Sequence, residues 1–225
     1  NIIQGHNMIQ TFLTQHVYFL LLSVCIFSYL IGSVSFAIVI SKIRGLDDPR
    51  GHGSKNPGAT NVMRTGDSIA AFLTLVGDTL KGLLVIVFVK IFWVEDPLTQ
   101  EGAFMISLSM LAVLVGHLFP IFFKFKGGKG VATSGGILIG IDAFLGISVL
   151  CVWLFFYCMF SISSVAALSS AFAAIFFAII FIPLAWPNHY EILIFTIWVI
   201  SLILFIRHHT NIQLILKNKQ KYFLA

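Results

Sequence analysis

The stretch "KFKGGKGVATSGGILIGIDAFLG", residues 124–146, decides how many times this chain crosses a membrane. Its apolar part opens a hydrophobic block at 131–160 that is long for one membrane span and short for two, because a span needs about 20 residues. Asp142 interrupts the block, together with the glycines Gly135, Gly136, Gly140 and Gly146. We predict that the block divides near 140–142 into a short helix and a full-length helix.

The whole chain has the composition of a polytopic membrane protein. Hydrophobic residues make up 58% of it and charged residues 10%, whereas soluble domains average about 25% charged residues. The first apolar run, Val17–Ile40, is too long for a signal-peptide core and lacks basic residues before it, so we expect no cleavable signal. The apolar blocks are 17–41, 67–94, 101–123, 131–160, 162–185 and 190–206. These blocks predict an all-α transmembrane helical bundle.

Positive charge sets the expected orientation. Most of the 14 Lys and Arg residues fall in 42–64, 124–129 and 207–221, and such clusters favour the cytoplasmic side. All three clusters can share that side only if block 131–160 crosses twice. We therefore predict seven transmembrane helices with a short fourth helix, the N-terminus outside and the C-terminus cytoplasmic. The net charge of +5 then reflects topology and does not indicate nucleic-acid binding.

One transmembrane domain is predicted at 17–215, with an N-terminal extension of unknown role at 1–16 and a cytoplasmic tail at 216–225. The three cysteines lie in apolar runs at spacings that match no metal motif, so we expect no metal and no cofactor. The short fourth helix would begin or end inside the protein, where its free N–H groups need partners. A ligand can be such a partner.

The first candidate site is a loop rich in glycine and cations, "RGHGSKNPGATNVMR" at 50–64. Its glycines and proline favour a tight, non-helical path, and successive N–H groups in such a path can bind an anion. Ser54 adds a hydroxyl group and Arg64 a positive charge. The further candidate phosphate-binding residues are Asn56, Gly58, Thr60 and Asn61. The alternative is an ordinary cytoplasmic turn whose charges only set topology.

The second candidate site is the glycine-rich turn that leads into the short helix, because a helix N-terminus attracts anions. Its candidate phosphate-binding residues are Lys126, Gly127, Gly128, Lys129 and Gly130. The turn is not a Walker A loop, which would need glycine in place of Phe123 and Ser or Thr in place of Gly130. The alternative is a helix cap whose lysines extend to the membrane surface.

Ionisable residues in three other places complete the set of candidates. In "RHHTNI", His208 and Asn211 are three residues apart and share one face of a helix, although a cluster that only faces the membrane surface would look the same. Asp78 and Lys81 lie well inside the second span, where charged residues are costly and usually functional, and a purely structural pair is the alternative. His117 lies just before the second candidate site.

Five segments, in their order and spacing, resemble the bacterial integral-membrane glycerol-3-phosphate acyltransferases that use acyl phosphate, the PlsY type. The segments are Gly32-Ser33, "GSKNPGATNVMR", "DTLKG", "GHLFPIFFKFKGGKGVAT" and "RHHTNI", and the resemblance runs from about residue 20 to 215. The tail departs from the family pattern, because "KNKQ" at 217–220 stands where the family often has Gly-x-Glu.

The resemblance implies an enzyme that transfers a fatty acyl group from acyl phosphate to the 1-hydroxyl of sn-glycerol 3-phosphate. The products would be lysophosphatidic acid and phosphate, in the first step of phospholipid biosynthesis, without acyl-CoA or acyl carrier protein. It also implies seven transmembrane helices in the bacterial inner membrane and a site that faces the cytoplasm. Ser54 and Arg64 would be essential, and His208 and Asn211 would be functional. Glycerol-3-phosphate binding would involve Gly127, Gly128 and Gly130.

The residues alone leave the mechanism and some other functions open. Ser54 could position the substrate hydroxyl or become acylated itself; we favour positioning, with the hydroxyl proton leaving on the phosphate of the acyl donor. The sequence has no HxxxxD pair and no G-x-S-x-G motif. A transporter of organic phosphates, a membrane phosphatase and a non-catalytic scaffold share parts of the pattern. Transporters often have two related halves, which this sequence lacks.

The predicted topology can be tested by thiol labelling. Single cysteines at Lys55, Lys126 and Lys217, introduced after the natural cysteines are replaced, should all react with a membrane-impermeant reagent from the cytoplasmic side only. A cysteine at Glu101 should react only from the opposite side and serves as the control. Labelling of the three lysine positions from different sides would contradict the predicted topology.

Overall fold

A computed structural model describes residues 18–96 and 98–217 of this chain. Within these residues the regular structure is entirely helical, which confirms the predicted all-α class. The orientation of the termini stays a prediction. The predicted N-terminal extension at 1–16 lies outside the described residues, as does most of the predicted tail at 216–225.

Ten helices follow one another along the described chain, and two 3-10 turns at Met63–Thr65 and Ile121–Phe123 connect some of them. The helices are α1 at 18–32, α2 Phe36–Ile43, α3 Ala59–Val62, α4 Ser68–Phe92, α5 Gln100–Leu118, α6 Val131–Ile141, α7 Ala143–Phe160, α8 Ser163–Ala185, α9 Tyr190–Arg207 and α10 His209–Lys217.

Six segments of the described chain are long and apolar enough to cross a membrane. They are Tyr18–Ile43 (α1 and α2 together), Ser68–Phe92, Gln100–Phe123, Ala143–Phe160, Ser163–Ala185 and Tyr190–Arg207. Many of their large apolar side chains are exposed on the outside of the bundle, as expected of helices whose solvent is lipid. The remaining apolar helix, α6, has 11 residues and is roughly 16 Å long at 1.5 Å per residue. Whether α6 completes a seventh crossing stays a prediction.

The predicted division of block 131–160 is confirmed. Helix α6 ends at Ile141 and α7 begins at Ala143, and Asp142 between them has extended backbone angles. The Asp142 carboxylate accepts a hydrogen bond of 2.7 Å from the Leu145 N–H, so it caps α7. Lys90 donates to the Gly140 carbonyl at 3.4 Å, at the C-terminal end of α6, where a cation is favourable. The interruption of the apolar block at Asp142 is therefore the junction between the end of α6 and the start of α7, and both helix ends are stabilised by a side chain.

Glycines bring the backbones of α4 and α6 into direct contact. A Cβ atom on Gly136 would overlap the Thr79 carbonyl, and a Cβ atom on Gly82 would overlap the Thr133 carbonyl. Such close approach is the usual way in which small residues pack membrane helices. The contact fixes the short helix against the helix that carries Asp78.

Two neighbouring glycines of α6 provide a matched test of this packing. Gly136→Ala should lower the free energy of unfolding by about 1–3 kcal/mol, because the added methyl group forces the helices apart. Gly135→Ala is the control, since nothing lies within 4 Å of a Cβ atom there. It should leave stability unchanged or raise it by up to about 1 kcal/mol through helix propensity. Chemical denaturation in detergent measures both, and equal stabilities would contradict the packing.

Candidate active site

One cavity of about 470 Å³ brings together candidate residues from every polar segment. The predicted site residues that line it are Ser54, Asn56, Gly58, Thr60, Asn61, Arg64, Asp78, His117, Lys129, Gly130, His208 and Asn211. The predicted site residues that do not line it are Lys81, Lys126, Gly127 and Gly128. Segments more than a hundred residues apart in the chain thus meet at a single polar end of the cavity.

Asn61 shapes the first loop from inside. It is 2% exposed, and its side-chain oxygen accepts a hydrogen bond of 2.9 Å from the Ser54 N–H. Its side-chain nitrogen donates to the carbonyls of Pro49 at 2.6 Å and His52 at 3.2 Å. These bonds occupy both donors of the amide, so Asn61 holds Ser54 at the cavity wall. A direct contact between Asn61 and phosphate stays a prediction.

Arg50 connects the first candidate loop to the segment that precedes the second candidate loop, the glycine-rich turn before α6. Its guanidinium forms an ion pair of 2.6 Å with Asp48 and donates to the Phe123 carbonyl at 3.0 Å. The hydrogen bond from Arg50 and its positive charge outweigh the opposing effect of burial and lower the pKa of the Asp48 carboxyl below its usual value. The two loops are therefore joined by an arginine to which the sequence analysis gave no role.

The second loop folds back on the end of α5. The Gly128 N–H donates to the His117 carbonyl at 3.1 Å, and Arg207 donates to the Gly128 carbonyl at 2.8 Å. A Cβ atom on Gly127 would overlap the His117 carbonyl, and one on Gly128 would overlap the His117 ring. These two glycines are required for packing against the end of α5. The part in glycerol-3-phosphate binding that the resemblance implies for them stays a prediction.

The third segment closes the polar end of the cavity. The Lys129 ammonium donates a hydrogen bond to the Asn211 side-chain oxygen, which joins the second loop to α10. Burial first, then the nearby charges of Arg207 and Arg64, lowers the pKa of Lys129 below its usual value. Three cations thus converge here, and their mutual proximity favours an anionic ligand between them.

His208 is a neutral hydrogen-bond acceptor in this cationic surrounding. It is 3% exposed, and its Nδ1 lies 2.8 Å from the Leu204 carbonyl, which fixes the tautomer that carries the proton on Nδ1. Nε2 is then an acceptor. Burial, assisted by the charges of Lys129 and Arg207 and opposed by the bond to Leu204, lowers the pKa of His208 to about 4. The imidazole is uncharged at neutral pH.

A buried ion pair lies beneath the polar end. The Lys81 ammonium is 2.8 Å from an Asp78 carboxylate oxygen and donates to the Val34 carbonyl at 2.7 Å. That carbonyl is available because α1 ends before it, at the break between α1 and α2. His117 Nδ1 lies 3.6 Å from the same carboxylate oxygen. Asp78 and His117 reach the cavity wall, while Lys81 sits behind them and neutralises the carboxylate.

The cavity also has an apolar arm, which the sequence analysis did not identify. It runs between α6, α7, α8 and α9 and is lined by Leu138, Val149, Leu150, Trp153, Ala167, Ala171, Ala174, Ile197 and Ile200, among other residues. A sequence signal existed in α8, where Ser164, Ala167, Ala171 and Ala174 recur at helical spacing. Small side chains on one helix face leave room for a ligand. Nothing local in the sequence showed that three other helices complete this space.

The described residues contain no group of three or more His, Cys, Asp or Glu side chains that could hold a metal ion. The chemistry that this site can carry out with its own groups is alignment and charge stabilisation. Arg64 and Lys129 can bind phosphate oxygens, and Ser54 presents a hydroxyl group at the cavity wall. An amphiphile with a phosphorylated head and an apolar tail matches both parts of the cavity.

Comparisons with known proteins agree in sequence and in structure. A family model described as glycerol-3-phosphate acyltransferase matches residues 22–218. The glycerol-3-phosphate acyltransferase of Cupriavidus taiwanensis is 48% identical over 86% of this chain and 91% of its own length. That of Neisseria meningitidis is 43% identical over 86% of this chain and 92% of its own.

Two crystal structures of PlsY (YgiH), an integral membrane glycerol 3-phosphate acyltransferase, are also similar. The glycerol 3-phosphate form has 32% identity and a TM-score of 0.76, and covers 90% of this chain and 95% of that one. The lysophosphatidic acid form has 31% identity and the same TM-score and coverage.

The buried ion pair should be sensitive to the loss of either charge. Asp78→Asn leaves the Lys81 ammonium buried without a counter-charge and should lower the free energy of unfolding by about 3–5 kcal/mol. The double variant Asp78→Asn/Lys81→Met removes both charges and should recover part of that loss. Chemical denaturation in detergent measures both. A double variant no more stable than the single one would contradict the pairing.

His208 should make stability depend on pH. Its pKa in the folded protein, about 4, is below its ordinary value near 6.5, so protonation favours the unfolded chain. Its contribution, at most about 3 kcal/mol, is fully present above pH 6.5 and is lost as the pH falls towards 4. His208→Gln should lack this pH-dependent contribution to stability. His209→Gln changes an exposed neighbour and should keep it. Thermal unfolding measured between pH 4 and 8 gives the comparison, and identical pH profiles would contradict it.

Proposed function

The chain belongs to the glycerol-3-phosphate acyltransferase family, and from this membership we propose that it transfers a fatty acyl group from acyl phosphate to the 1-hydroxyl of sn-glycerol 3-phosphate. The products are 1-acyl-glycerol 3-phosphate (lysophosphatidic acid) and inorganic phosphate. The reaction needs no acyl-CoA, acyl carrier protein, metal or cofactor. It is the first step of phospholipid biosynthesis.

The observation that carries the proposal is the shape of the cavity. Its polar end is cationic, with Arg64 and Lys129 on its wall, and its other end is an apolar arm between helices. Acyl phosphate has a charged head and a hydrocarbon tail and matches both ends at once. Glycerol 3-phosphate is small and doubly negative, and it needs only the polar end. A transporter or a phosphatase for small phosphates would have no use for the apolar arm.

The reaction needs little more than alignment. Acyl phosphate is a mixed anhydride and is already activated, so binding the hydroxyl group beside the carbonyl carbon supplies much of the rate. The glycerol oxygen forms the new bond to the carbonyl carbon, the bond from that carbon to the phosphate oxygen breaks, and phosphate leaves. The leaving phosphate accepts the hydroxyl proton, which balances the step without a protein base.

Four side chains have proposed roles in this alignment. Ser54, held by Asn61, positions the substrate hydroxyl at the cavity wall. His208 is neutral, and its free Nε2 accepts a hydrogen bond from a glycerol hydroxyl. Lys129, together with Arg64, binds phosphate oxygens and stabilises the negative charge that develops in the transition state.

We place this site on the cytoplasmic face of the bacterial inner membrane. Helix α6 then completes a seventh passage, with the N-terminus outside and the C-terminus in the cytoplasm. The proposal is supported by the cationic residues of the three polar segments, which meet at one end of the bundle and follow the positive-inside rule. Residues 17–215 form one transmembrane acyltransferase domain.

Turnover with defined substrates tests the function directly. Purified protein with palmitoyl phosphate and glycerol 3-phosphate should form lysophosphatidic acid, and palmitoyl-CoA should not replace the acyl donor. Ser54→Ala should lower kcat by at least about 100-fold, because misplacing a reacting group by about 1 Å costs that much. Ser68→Ala, at an exposed serine outside the cavity, is the matched control and should keep wild-type kcat.

Three other results would contradict the proposed reaction or its mechanism. Phosphate release from palmitoyl phosphate without glycerol 3-phosphate would indicate a phosphatase, and phosphate flux in proteoliposomes without acyl product would indicate a transporter. An acyl group found on Ser54 by mass spectrometry would replace the positioning role with covalent catalysis.

A further inference from the structure

The apolar arm ends inside the protein at a closed floor. The deepest residues that line it come from four helices, and they are Ile139 of α6, Gly146 of α7, Ala174 of α8 and Ile197 of α9. Within about one helical turn further from the polar end, each of these helices places a buried side chain that does not line the cavity. These floor residues are Ile141, Leu145, Ala178 and Leu193. All four belong to the main hydrophobic core, so the cavity does not continue past them.

The length of the arm matches that of one membrane acyl chain. His208 at the polar end and Ile197 near the floor are 11 residues apart along α9 and its C-cap, which corresponds to roughly 16 Å at 1.5 Å per residue. The hydrocarbon core of a bilayer is about 30 Å thick and contains two leaflets, so one leaflet spans roughly 15 Å. A tail of ordinary membrane length therefore reaches the floor when its head is at the polar end.

We propose that this floor limits the length of the acyl chain that the enzyme accepts, with Ala174 as the specificity-determining residue; this rests on the proposed function. The tail comes from lipid, which is as apolar as the arm, so burial itself gives little preference between chain lengths. Selection then depends on steric fit. A chain too long for the arm cannot place its carbonyl carbon at the polar end.

Ala174 is the lining position at which a change of volume affects the floor and little else. Among the four deepest lining residues only Gly146 is smaller than Ala174, which is 3% exposed. Gly146 also lines the arm, but a Cβ atom there would overlap the backbone of Ile139 in α6. Enlarging Gly146 would therefore move a helix, whereas enlarging Ala174 extends a side chain into the arm.

The competing path for the tail lies between α4 and α7. Leu80 and Leu150 line the cavity there and are 41% and 46% exposed on the bundle surface. A tail that leaves through this side into the bilayer would not touch the floor. Under that arrangement, the volume at Ala174 would have no effect on chain length.

The test compares kcat/KM for acyl phosphates with 12, 16 and 20 carbons. Ala174→Leu should lower the ratio of the 16-carbon to the 12-carbon substrate by roughly tenfold or more, as expected for overpacking a closed site. Ala173→Leu is the matched control, since Ala173 is adjacent on α8, half-buried and outside the lining. Ala173→Leu should leave the ratio of kcat/KM for the 16-carbon and 12-carbon substrates unchanged. Ile197→Ala enlarges the floor and should raise the ratio of the 20-carbon to the 16-carbon substrate.

Failure of this proposal is distinguishable from failure of the proposed function. Wild-type protein that turns over no acyl phosphate would contradict the function. Normal turnover with chain-length ratios unchanged in both Ala174→Leu and Ile197→Ala would overturn the floor and indicate the path between α4 and α7. Size-exclusion profiles and thermal melts verify folding. If Ala174→Leu does not fold, Ala174→Val replaces it with a smaller change in the same direction.

Discussion

The buried ion pair between Asp78 and Lys81 is the constraint on which the rest of the structure depends. A charge inside a membrane protein must be paired and hydrogen-bonded. Besides each other, Lys81 and Asp78 therefore each contact a further part of the bundle. Lys81 binds the Val34 carbonyl at the break between α1 and α2, and the Asp78 carboxylate faces His117 at the end of α5. The break between α1 and α2 and the end of α5 are therefore fixed relative to α4, on which α6 packs.

The polar end of the cavity is built outward from this base by arginines and amides that bind backbone carbonyls. Arg50 connects the first loop to Phe123, Arg207 binds the Gly128 carbonyl, and Asn61 holds the first loop together. These contacts position Ser54 and Lys129 at the polar end of the cavity. Residues that hold the loops in place in this way suit a site whose proposed function is to align two phosphorylated substrates.

Helix length also has a functional consequence. Because α6 has 11 residues, its polar N-terminal end and its capped C-terminal end lie close together. The polar end of the cavity and the floor of the apolar arm are therefore built partly from one short element. Close packing through Gly136 holds that element in place, and both the acyltransferase chemistry and the proposed chain-length limit depend on its position.

The sequence by itself determined the all-helical membrane fold, the helix break at Asp142 and most of the residues at the polar end of the cavity. These features follow from local properties, namely hydropathy, charge and glycine content within short segments. Only the tertiary structure decided that Asn61 binds the loop, that Gly127 and Gly128 pack on His117, and that four helices line an apolar arm of the cavity. Each of these depends on contacts between residues that are not neighbours in the sequence. Lipid-facing and core-facing residues of a membrane helix are equally apolar, so the sequence pattern does not separate them.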